Sequence, residues 1–264
     1  MQKCLPACFW LVLLCSTAQA QDGNAVLKKM YAAYAALSSY SQTASSTLIV
    51  RAITNQISGN TSELRYKKPN LLYFSVTSPI YGTFIASSNG REQIVYQSLG
   101  NRYQKFSAPA SLVQFMARVE PLGVRAILDP LYFLTGKRLE NASGPAKLKG
   151  NVTLNGVPSY LVVAPIKLPA SAKGGTGTVT FWIDRKSYLL RKVQVALKNI
   201  PRKVRVRTIR NNKPVIQTKE VRTEETYTEV VQEMKINPPL GTSDFNYTPP
   251  KDAVEQNLEK LLQR

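Results

Sequence analysis

The residue types that carry most protein chemistry are few in this chain, and their positions limit the chemistry it can perform. Histidine is absent, and the three cysteines, Cys4, Cys8 and Cys15, all lie within the first 20 residues. Once that segment is removed, imidazole catalysis, thiolate nucleophiles, disulfides and the usual zinc sites are excluded. The remaining serines, lysines and carboxylates form no Gly-x-Ser-x-Gly elbow and no cluster with ligand-like spacing. We predict a protein that is not an enzyme and that binds neither a metal nor a cofactor.

The first 20 residues have the pattern of a secretory signal peptide. Lys3 supplies the positive start, an apolar run from Leu5 to Cys15 follows, and Ala18-Gln19-Ala20 is a small-x-small cleavage site. The bulky Leu14 stands directly before Cys15, which argues against lipid attachment at that cysteine. We therefore expect cleavage after Ala20, export to the periplasm, and one domain covering residues 21–264.

Apolar periodicity predicts one opening helix followed mainly by strands. Val26, Leu27, Met30, Tyr34 and Leu37 recur at three- and four-residue steps, which is the spacing of one helix face. Period-two segments with turn signals between them then predict antiparallel hairpins. The predicted strands are Thr47–Ile53, Glu63–Lys68, Leu71–Thr77, Thr83–Ser87, Gln93–Gln97, Arg102–Phe106, Lys147–Leu154, Val157–Ala164, Thr176–Asp184, Tyr188–Leu197, Lys203–Arg210 and Val215–Val231. The apolar middle segment, Ala110 to Thr135, suits helices, and Asp252 to Leu262 suits a terminal helix.

The chain is strongly basic, with 35 Lys and Arg against 16 Asp and Glu. The excess of positive charge concentrates in a late hairpin at about 198–231. Between Lys198 and Arg222 the sequence has nine basic residues and one acidic residue, Glu220. Basic and valine positions alternate there, so the charges gather on one strand face. The candidate residues for docking on an anionic surface are Lys203, Arg205, Arg207 and Arg210. The alternative is a solvated strand face that discourages edge-to-edge aggregation.

The charge pattern also bears on the role of the acidic residues and on nucleic acid as a partner. The acidic residues Glu220, Glu224, Glu225 and Glu229 are most simply charge partners on the strand faces of the hairpin. Nucleic acid is not the expected partner, because the aromatic residues are not interleaved with the basic cluster as stacking platforms would be.

Several short stretches, in order along the chain, resemble the LolA family of periplasmic lipoprotein carriers. The main one runs from Leu64 to Pro79 and includes Lys68-Pro69-Asn70, with Ser88-Asn89-Gly90 shortly after. The others are Leu37-Ser38-Ser39-Tyr40-Ser41, Phe181-Trp182-Ile183-Asp184-Arg185 with Leu189-Leu190-Arg191, and Phe245-x-x-x-Pro249-Pro250. Together these stretches cover most of the chain after the signal.

The resemblance implies an α+β, mostly β fold, in which a strongly curved antiparallel sheet forms an incomplete β-barrel. Its concave face is covered by helices and holds acyl chains. The candidate covering elements are the opening helix, Ala25 to Ser38, and the segment Ala110 to Thr135, because a curved sheet without a second sheet must cover its inner face. We expect the roof to lift so that the cavity can fill and empty.

The residues that this resemblance assigns to the cavity lie on the opening helix, the early strands and the middle segment. They are Tyr34, Leu37, Tyr66, Leu72, Phe74, Val76, Phe84, Phe115, Leu131 and Phe133. Strand parity places Tyr66, Lys68, Leu72, Phe74 and Val76 on one face if the ladder runs on through Pro69-Asn70. The alternative for each of them is an ordinary core position.

Lys68 is the candidate lid contact. In the best-known carrier the corresponding residue is an arginine that holds the roof helices closed. Lysine keeps the charge but lacks the planar fork of donors, so we expect a less specific lock. The alternative is that Lys67-Lys68 is a solvated strand edge.

We therefore predict a non-enzymatic, monomeric periplasmic carrier or sensor. It would bind the acyl chains of a lipid or lipoprotein by burying apolar area, and it would contact an anionic membrane or an inner-membrane donor protein. The alternative function is an envelope interaction or stress-signalling protein. In that case its basic surface would bind an anionic membrane or polymer, and the cavity would not be used for transport.

Overall fold

A computed structural model describes residues 22–51, 55–119, 133–135, 144–168, 172, 174–210 and 213–257. The signal segment and Leu131 therefore lie outside the described residues, as does most of the predicted helical stretch between residues 119 and 133. Helix α1 spans Gly23–Ala36 and α2 spans Leu112–Val119. A short 3₁₀-helix, Thr242–Phe245, lies near the C-terminal end.

Helix α1 is confirmed as a helix, but it begins and ends two residues earlier than the predicted bounds, Ala25 and Ser38. The side chain of Asp22 accepts a hydrogen bond from the amide of Asn24 at 3.2 Å, which is the bond of an N-cap. Val26, Met30 and Tyr34 share one buried face. Leu37 has extended backbone angles, so the helix ends at Ala36 before the first strand.

Twelve strands follow and form one sheet. Their bounds are β1 Ser39–Arg51, β2 Asn55–Lys67, β3 Leu71–Ser78, β4 Gly82–Ser88, β5 Glu92–Gln97, β6 Arg102–Ser107, β7 Lys147–Leu154, β8 Val157–Ile166, β9 Thr176–Asp184, β10 Leu190–Arg210, β11 Lys213–Ile236 and β12 Val254–Glu255. The order across the sheet is β12-β6-β5-β4-β3-β2-β1-β11-β10-β9-β8-β7. Neighbouring strands are antiparallel except β12 and β6. The predicted mostly β architecture is confirmed, with one large sheet that does not close.

The pairing of β1 with β11 joins the two halves of the sheet. Tyr40 pairs with Ile236 at one end of the contact and Arg51 pairs with Glu224 at the other. On its other edge β1 pairs along its whole length with β2. The middle of the sheet is therefore made by the first and eleventh strands.

Three sequence predictions of elements are corrected. The predicted strands Tyr188–Leu197 and Lys203–Arg210 form one strand, β10, with a register shift between Leu197 and Ile200. The terminal helix predicted from Asp252 is wrong over its described part, because Val254 and Glu255 pair with β6. The ladder does not run on through Pro69-Asn70. Residues 68–70 form a turn, and Tyr66 pairs across it with Leu72.

The tail after β11 packs on the face of β2–β5 that points away from the helices. Phe245 is completely buried, and its carbonyl oxygen accepts a hydrogen bond from the Ser87 hydroxyl at 2.7 Å. Arg65 donates to the carbonyl oxygen of Asp244 at 2.7 Å, and Lys67 donates to that of Leu240 at 2.7 Å. Both faces of this part of the sheet are therefore covered.

Candidate ligand-binding face

One face of the sheet, both helices and Phe133 share a single hydrophobic cluster. The strand register shows how that face is built. Leu64 on β2 pairs with Phe74 on β3, which pairs with Ala86 on β4 and through it with Val95 on β5. On the other side of the sheet, Val193, Phe181 and Val162 form a corresponding row across β10, β9 and β8. The apolar face therefore extends across both halves of the sheet.

Nearly all the residues predicted to line a cavity lie on this face. Those within the buried cluster are Tyr34, Leu37, Tyr66, Leu72, Phe74, Phe115 and Phe133, and those packed against it are Val76 and Phe84. Leu131 lies outside the described residues. The structure brings the nine described side chains together in one packed cluster. Their role as the lining of an acyl cavity stays a prediction.

Phe133 lies where α1 meets the sheet. Its ring centroid is 5.5 Å from that of Tyr34, 5.7 Å from that of Tyr31, and 6.5 Å from that of Phe181 on β9. Such aromatic contacts favour association beyond the area that they bury. The middle segment of the chain therefore reaches the apolar face through this residue.

The N-terminal end of α1 is held tightly against the start of β7. A Cβ atom added at Gly23 would lie 2.6 Å from the carbonyl oxygen of Ala146, a distance that no side chain tolerates. The amide of Ala146 donates to Oδ1 of Asn24 at 3.1 Å. Glycine at residue 23 is therefore required by close backbone approach.

Lys68 holds the other end of α1. Its Nζ donates to the carbonyl oxygen of Ala35 at 2.7 Å, and its backbone amide donates to the carbonyl oxygen of Ser38 at 2.9 Å. A cation next to the last carbonyls of a helix also interacts favourably with the helix dipole. The side chain predicted as a lid contact thus bonds to a helix of the apolar face.

Arg118 connects helix α2 to the sheet through hydrogen bonds. Its guanidinium donates to the carbonyl oxygen of Ser107 at 2.6 Å and to Oε1 of Gln93 at 3.1 Å, and lies 5.5 Å from the ring centroid of Phe106. Phe115 is buried against the apolar face, whereas Val113 on the same helix is exposed.

A buried polar group interrupts the apolar face at its centre, on β1 and β11. The hydroxyl of Tyr40 donates to Oε1 of Gln42 at 2.7 Å, and Nε2 of Gln42 contacts Oε1 of Glu229 at 3.5 Å. The hydroxyl of Tyr227 donates to the other oxygen of Glu229 at 2.7 Å. Burial raises the pKa of Glu229, although the hydrogen bonds from Tyr227 and Gln42 act in the opposite direction. We call Tyr40, Gln42, Tyr227 and Glu229 the polar centre.

Glu225, four residues before Glu229 on β11, has a different environment. Arg202 donates to both of its carboxylate oxygens, at 2.7 and 2.8 Å, and Thr223 donates to one of them at 3.1 Å. This bidentate geometry is the strong form of the arginine–carboxylate pair. The predicted role as a charge partner therefore holds for Glu225. For Glu229 it is wrong, because that side chain is buried and its described partners are uncharged.

The basic ribbon, residues 200–210 and 213–223, extends beyond the rest of the sheet. The last pair of β9 with β10 is Thr176 with Lys198, so over the ribbon β10 and β11 pair only with each other among the described residues. At about 3.3 Å per residue the ribbon is roughly 35 Å long. Residues 224–231, predicted as part of this hairpin, lie inside the sheet, where residues 225–230 pair with β10 and residues 224–231 also pair with β1.

The predicted docking residues lie on β10 within this ribbon. Lys203 and Arg205 are exposed, and they pair in the ladder with Glu220 and Thr218. The backbones of Arg207 and Arg210 pair with those of Ile216 and Lys213, while their side chains lie outside the described part. The ribbon therefore presents basic side chains to solvent away from the apolar face.

In the part of the chain that the structure describes, no group of three or more Asp, Glu, His or Cys residues could hold a metal ion. None of the described helices is both long enough and apolar enough to cross a membrane.

Residues 23–210 match the family described as predicted periplasmic protein DUF2092. The chain belongs to this family. The periplasmic location predicted from the sequence is thereby confirmed. Among curated proteins, none matches the chain.

Three solved structures are among those similar to this DUF2092 chain. Lipoprotein LppX of Mycobacterium tuberculosis is 12% identical, with a TM-score of 0.41, and the match covers 83% of this chain and 97% of LppX. An outer membrane lipoprotein-sorting protein domain from Vibrio parahaemolyticus is 10% identical, with a TM-score of 0.35 and coverages of 92% and 98%. A LolA superfamily protein from Nitrosomonas europaea is 10% identical, with a TM-score of 0.31 and coverages of 86% and 98%.

Sequence reasoning missed the polar centre of the DUF2092 chain. Glu229 was grouped with its acidic neighbours because four glutamates fall within ten residues. The available signal was parity, since Glu229 lies two residues from both Tyr227 and Val231 and so shares their strand face. Gln42 was missed because the first half of β1 was not predicted as a strand.

Proposed function

We propose that this protein is a non-enzymatic periplasmic carrier that holds the acyl chains of a lipid or lipoprotein between its sheet and its helices. The observation that carries the proposal is the apolar face itself, which is shared by α1, α2, Phe133 and strands from both halves of the sheet. Burying apolar area on such a face contributes about 25 cal/mol per Å² before ordering costs are subtracted.

The attachments of the two helices support a specific opening movement. Helix α1 is held at its N-terminal end by Gly23 and Asn24 and at its C-terminal end by Lys68. Helix α2 is held mainly through Arg118 and its buried apolar side chains. We therefore assign the movement that admits an acyl chain to α2 and Phe133, with α1 remaining on the sheet.

A pair of substitutions in α2 tests this function. Phe115→Glu places a charge on the apolar face, whereas Val113→Glu places the same charge on the exposed side of the same helix. We expect uptake of a fluorescent long-chain alcohol to be lost in the first variant and retained in the second, with circular dichroism showing that both fold. Equal uptake by both variants, or no uptake by the unmodified protein, would contradict the proposal.

A second role, docking on anionic membrane, is supported by the basic ribbon. Its exposed Lys203 and Arg205 lie on a two-stranded extension that pairs with no other described strand. Each basic residue near an anionic surface contributes about 1 kcal/mol of binding. This role is compatible with the carrier, and it would also serve an envelope interaction or signalling protein that does not transport cargo.

Charge reversal tests the docking role separately. The double variant Lys203→Glu, Arg205→Glu should bind vesicles containing anionic lipid more weakly than the unmodified protein, and the difference should shrink in high salt. The control is Lys147→Glu, Lys149→Glu, which reverses two exposed lysines on the edge strand β7. Equal loss in both double variants would leave only a net-charge effect and would overturn a specific role for the ribbon.

A further inference from the structure

Glu225 and Glu229 lie four residues apart on β11, on the same face and both buried. Among the residues that the structure describes, a cation contacts only Glu225. Arg202 neutralises Glu225 through two short hydrogen bonds. Glu229 accepts from the Tyr227 hydroxyl at 2.7 Å and from the Gln42 amide at 3.5 Å, the outer limit of a hydrogen bond. One oxygen of a buried carboxyl group is therefore poorly satisfied.

Burying an ionised carboxyl group with no described cation beside it and one long hydrogen bond costs free energy. Ionised carboxylates away from water require a paired charge or several hydrogen bonds, and otherwise the group stays protonated. Most buried polar groups in proteins have hydrogen bonds of good geometry, so a buried carboxyl oxygen whose described bond is 3.5 Å long calls for an explanation. Here the exception lies on the face to which we assign cargo binding.

The polar centre lies between two apolar rows of that face. Gln42 pairs with Leu64 on β2, and Glu229 pairs with Val193 on β10, so apolar rows begin directly on both sides of it. The rows run outward over β2–β5 in one direction and over β10–β8 in the other. An amphiphile whose polar end lay at Glu229 would have apolar surface available for its acyl chains on either side.

We propose that Gln42, Tyr227 and Glu229 bind the polar end of the cargo, and that they accept a head group with hydrogen-bond donors and no negative charge. A hydroxyl or an ammonium group would supply Oε1 of Glu229 with a closer donor than the Gln42 amide, which lies 3.5 Å away. A phosphate or carboxylate would lie against a carboxyl group with no described cation beside it, and it would be disfavoured by repulsion or by loss of its own solvation. This inference rests on the proposed carrier function.

Competition among amphiphiles that share one acyl chain tests the inference. The probes are a monoacylglycerol, a long-chain amine and a lysophosphatidic acid, each displacing a fluorescent long-chain alcohol below its micelle concentration. We expect the unmodified protein to bind the hydroxyl or the amine compound at least about tenfold more tightly than the phosphate compound. The difference between the first two compounds shows whether the natural donor is neutral or cationic.

Single substitutions show which residues cause the preference among head groups. Glu229→Gln should reduce the preference to within about threefold, and Tyr227→Phe, which changes one hydroxyl, should weaken it in the same direction. Glu225→Gln is the matched control, because it alters a buried glutamate of the same strand face that already has a cation. It should leave the preference intact.

The outcomes separate this inference from the carrier function. Equal binding of all three compounds by the unmodified protein overturns the head-group assignment and leaves the carrier in place. The same is true if Glu229→Gln and Tyr227→Phe both keep the preference, or if Glu225→Gln removes it as fully as Glu229→Gln. Failure of every amphiphile to bind the folded protein overturns the carrier and the head-group site together.

Discussion

The ammonium group of Lys68 donates a hydrogen bond to the carbonyl oxygen of Ala35 at 2.7 Å. This bond joins the turn between β2 and β3 to the last turn of α1, and so fixes one end of the helix on the apolar face. A helix carbonyl is a single acceptor, which a lysine ammonium satisfies as well as a planar guanidinium would. Lysine at this position therefore suits a helix that stays attached.

Replacing Lys68 should loosen the end of α1. We expect Lys68→Met to lower the free energy of unfolding by about 1 kcal/mol, the usual contribution of one hydrogen bond. Amide hydrogen exchange should become faster in the last turn of α1. The control is Lys67→Met, which removes a bond of the same length to the carbonyl oxygen of Leu240 and should affect the tail instead. Unchanged exchange at α1 in Lys68→Met would contradict the role of this bond.

Gly23 tests the close approach of α1 to β7. Alanine is the better helix former, but its Cβ atom would meet backbone atoms of Ala146 and Lys147 that cannot move aside easily. We expect Gly23→Ala to destabilise the protein by about 1–3 kcal/mol in urea unfolding. Gly59→Ala is the control, since its added Cβ would lie 3.9 Å from the nearest atom, the carbonyl oxygen of Ser46. If both substitutions had the same small effect, α1 would not be held at Gly23 as described.

Most of the sheet could be predicted from the sequence because its turns are marked by Gly, Asn and Pro. The strands Lys147–Leu154 and Thr176–Asp184 are confirmed with their bounds unchanged. Asn155 and Gly156, the predicted hairpin turn between β7 and β8, both have positive φ, at 49° and 78°. In these places local sequence and tertiary structure agree.

Two long strands were harder to predict, for physical reasons. The inward positions of the first half of β1 include Gln42 and Ser46, so polar side chains hide the alternation that marks a half-buried strand. Strand β10 was divided in two because Asn199 and Pro201 interrupt its pattern. The structure accommodates this interruption with a bulge, in which Asn199 has a φ of 58° and donates to the carbonyl oxygen of Gly174 at 2.9 Å.

The candidate site was predictable in its apolar part and not in its polar part. Leu72 and Phe74 could be placed on one face by parity. The hydrogen bond from Gln42 to Glu229 joins two residues that are 187 positions apart in the sequence. No local pattern brings these residues together, because their contact depends on the pairing of β1 with β11.

Glu229 should make stability depend on pH. Burial raises the pKa of Glu229, so the folded protein binds a proton at this carboxyl more tightly than the unfolded chain does. Stability should therefore fall as pH rises from the unfolded value of about 4.3 through the raised folded value. The nearby ionisable groups on the same face are Tyr40, Tyr227 and Glu225, of which Tyr40 and Tyr227 belong to the hydrogen-bonded polar centre.

The measurement is urea unfolding of the unmodified protein and of Glu229→Gln over this pH range. The variant should lose this part of the pH dependence. Tyr227→Phe removes a hydrogen bond that lowers the pKa of Glu229, so in this variant the decline should extend to higher pH. Parallel curves for the unmodified protein and Glu229→Gln would show that the carboxyl group does not titrate differently on folding.

We propose that the apolar face holds an acyl-bearing ligand. The most direct test is native mass spectrometry of the unmodified protein, purified from its own periplasm without detergent. We predict a bound species whose added mass, after organic extraction, corresponds to a lipid or an acylated peptide, together with uptake of a fluorescent long-chain alcohol probe by the emptied protein. A protein that is consistently found with no added mass and that takes up no probe would contradict the claim.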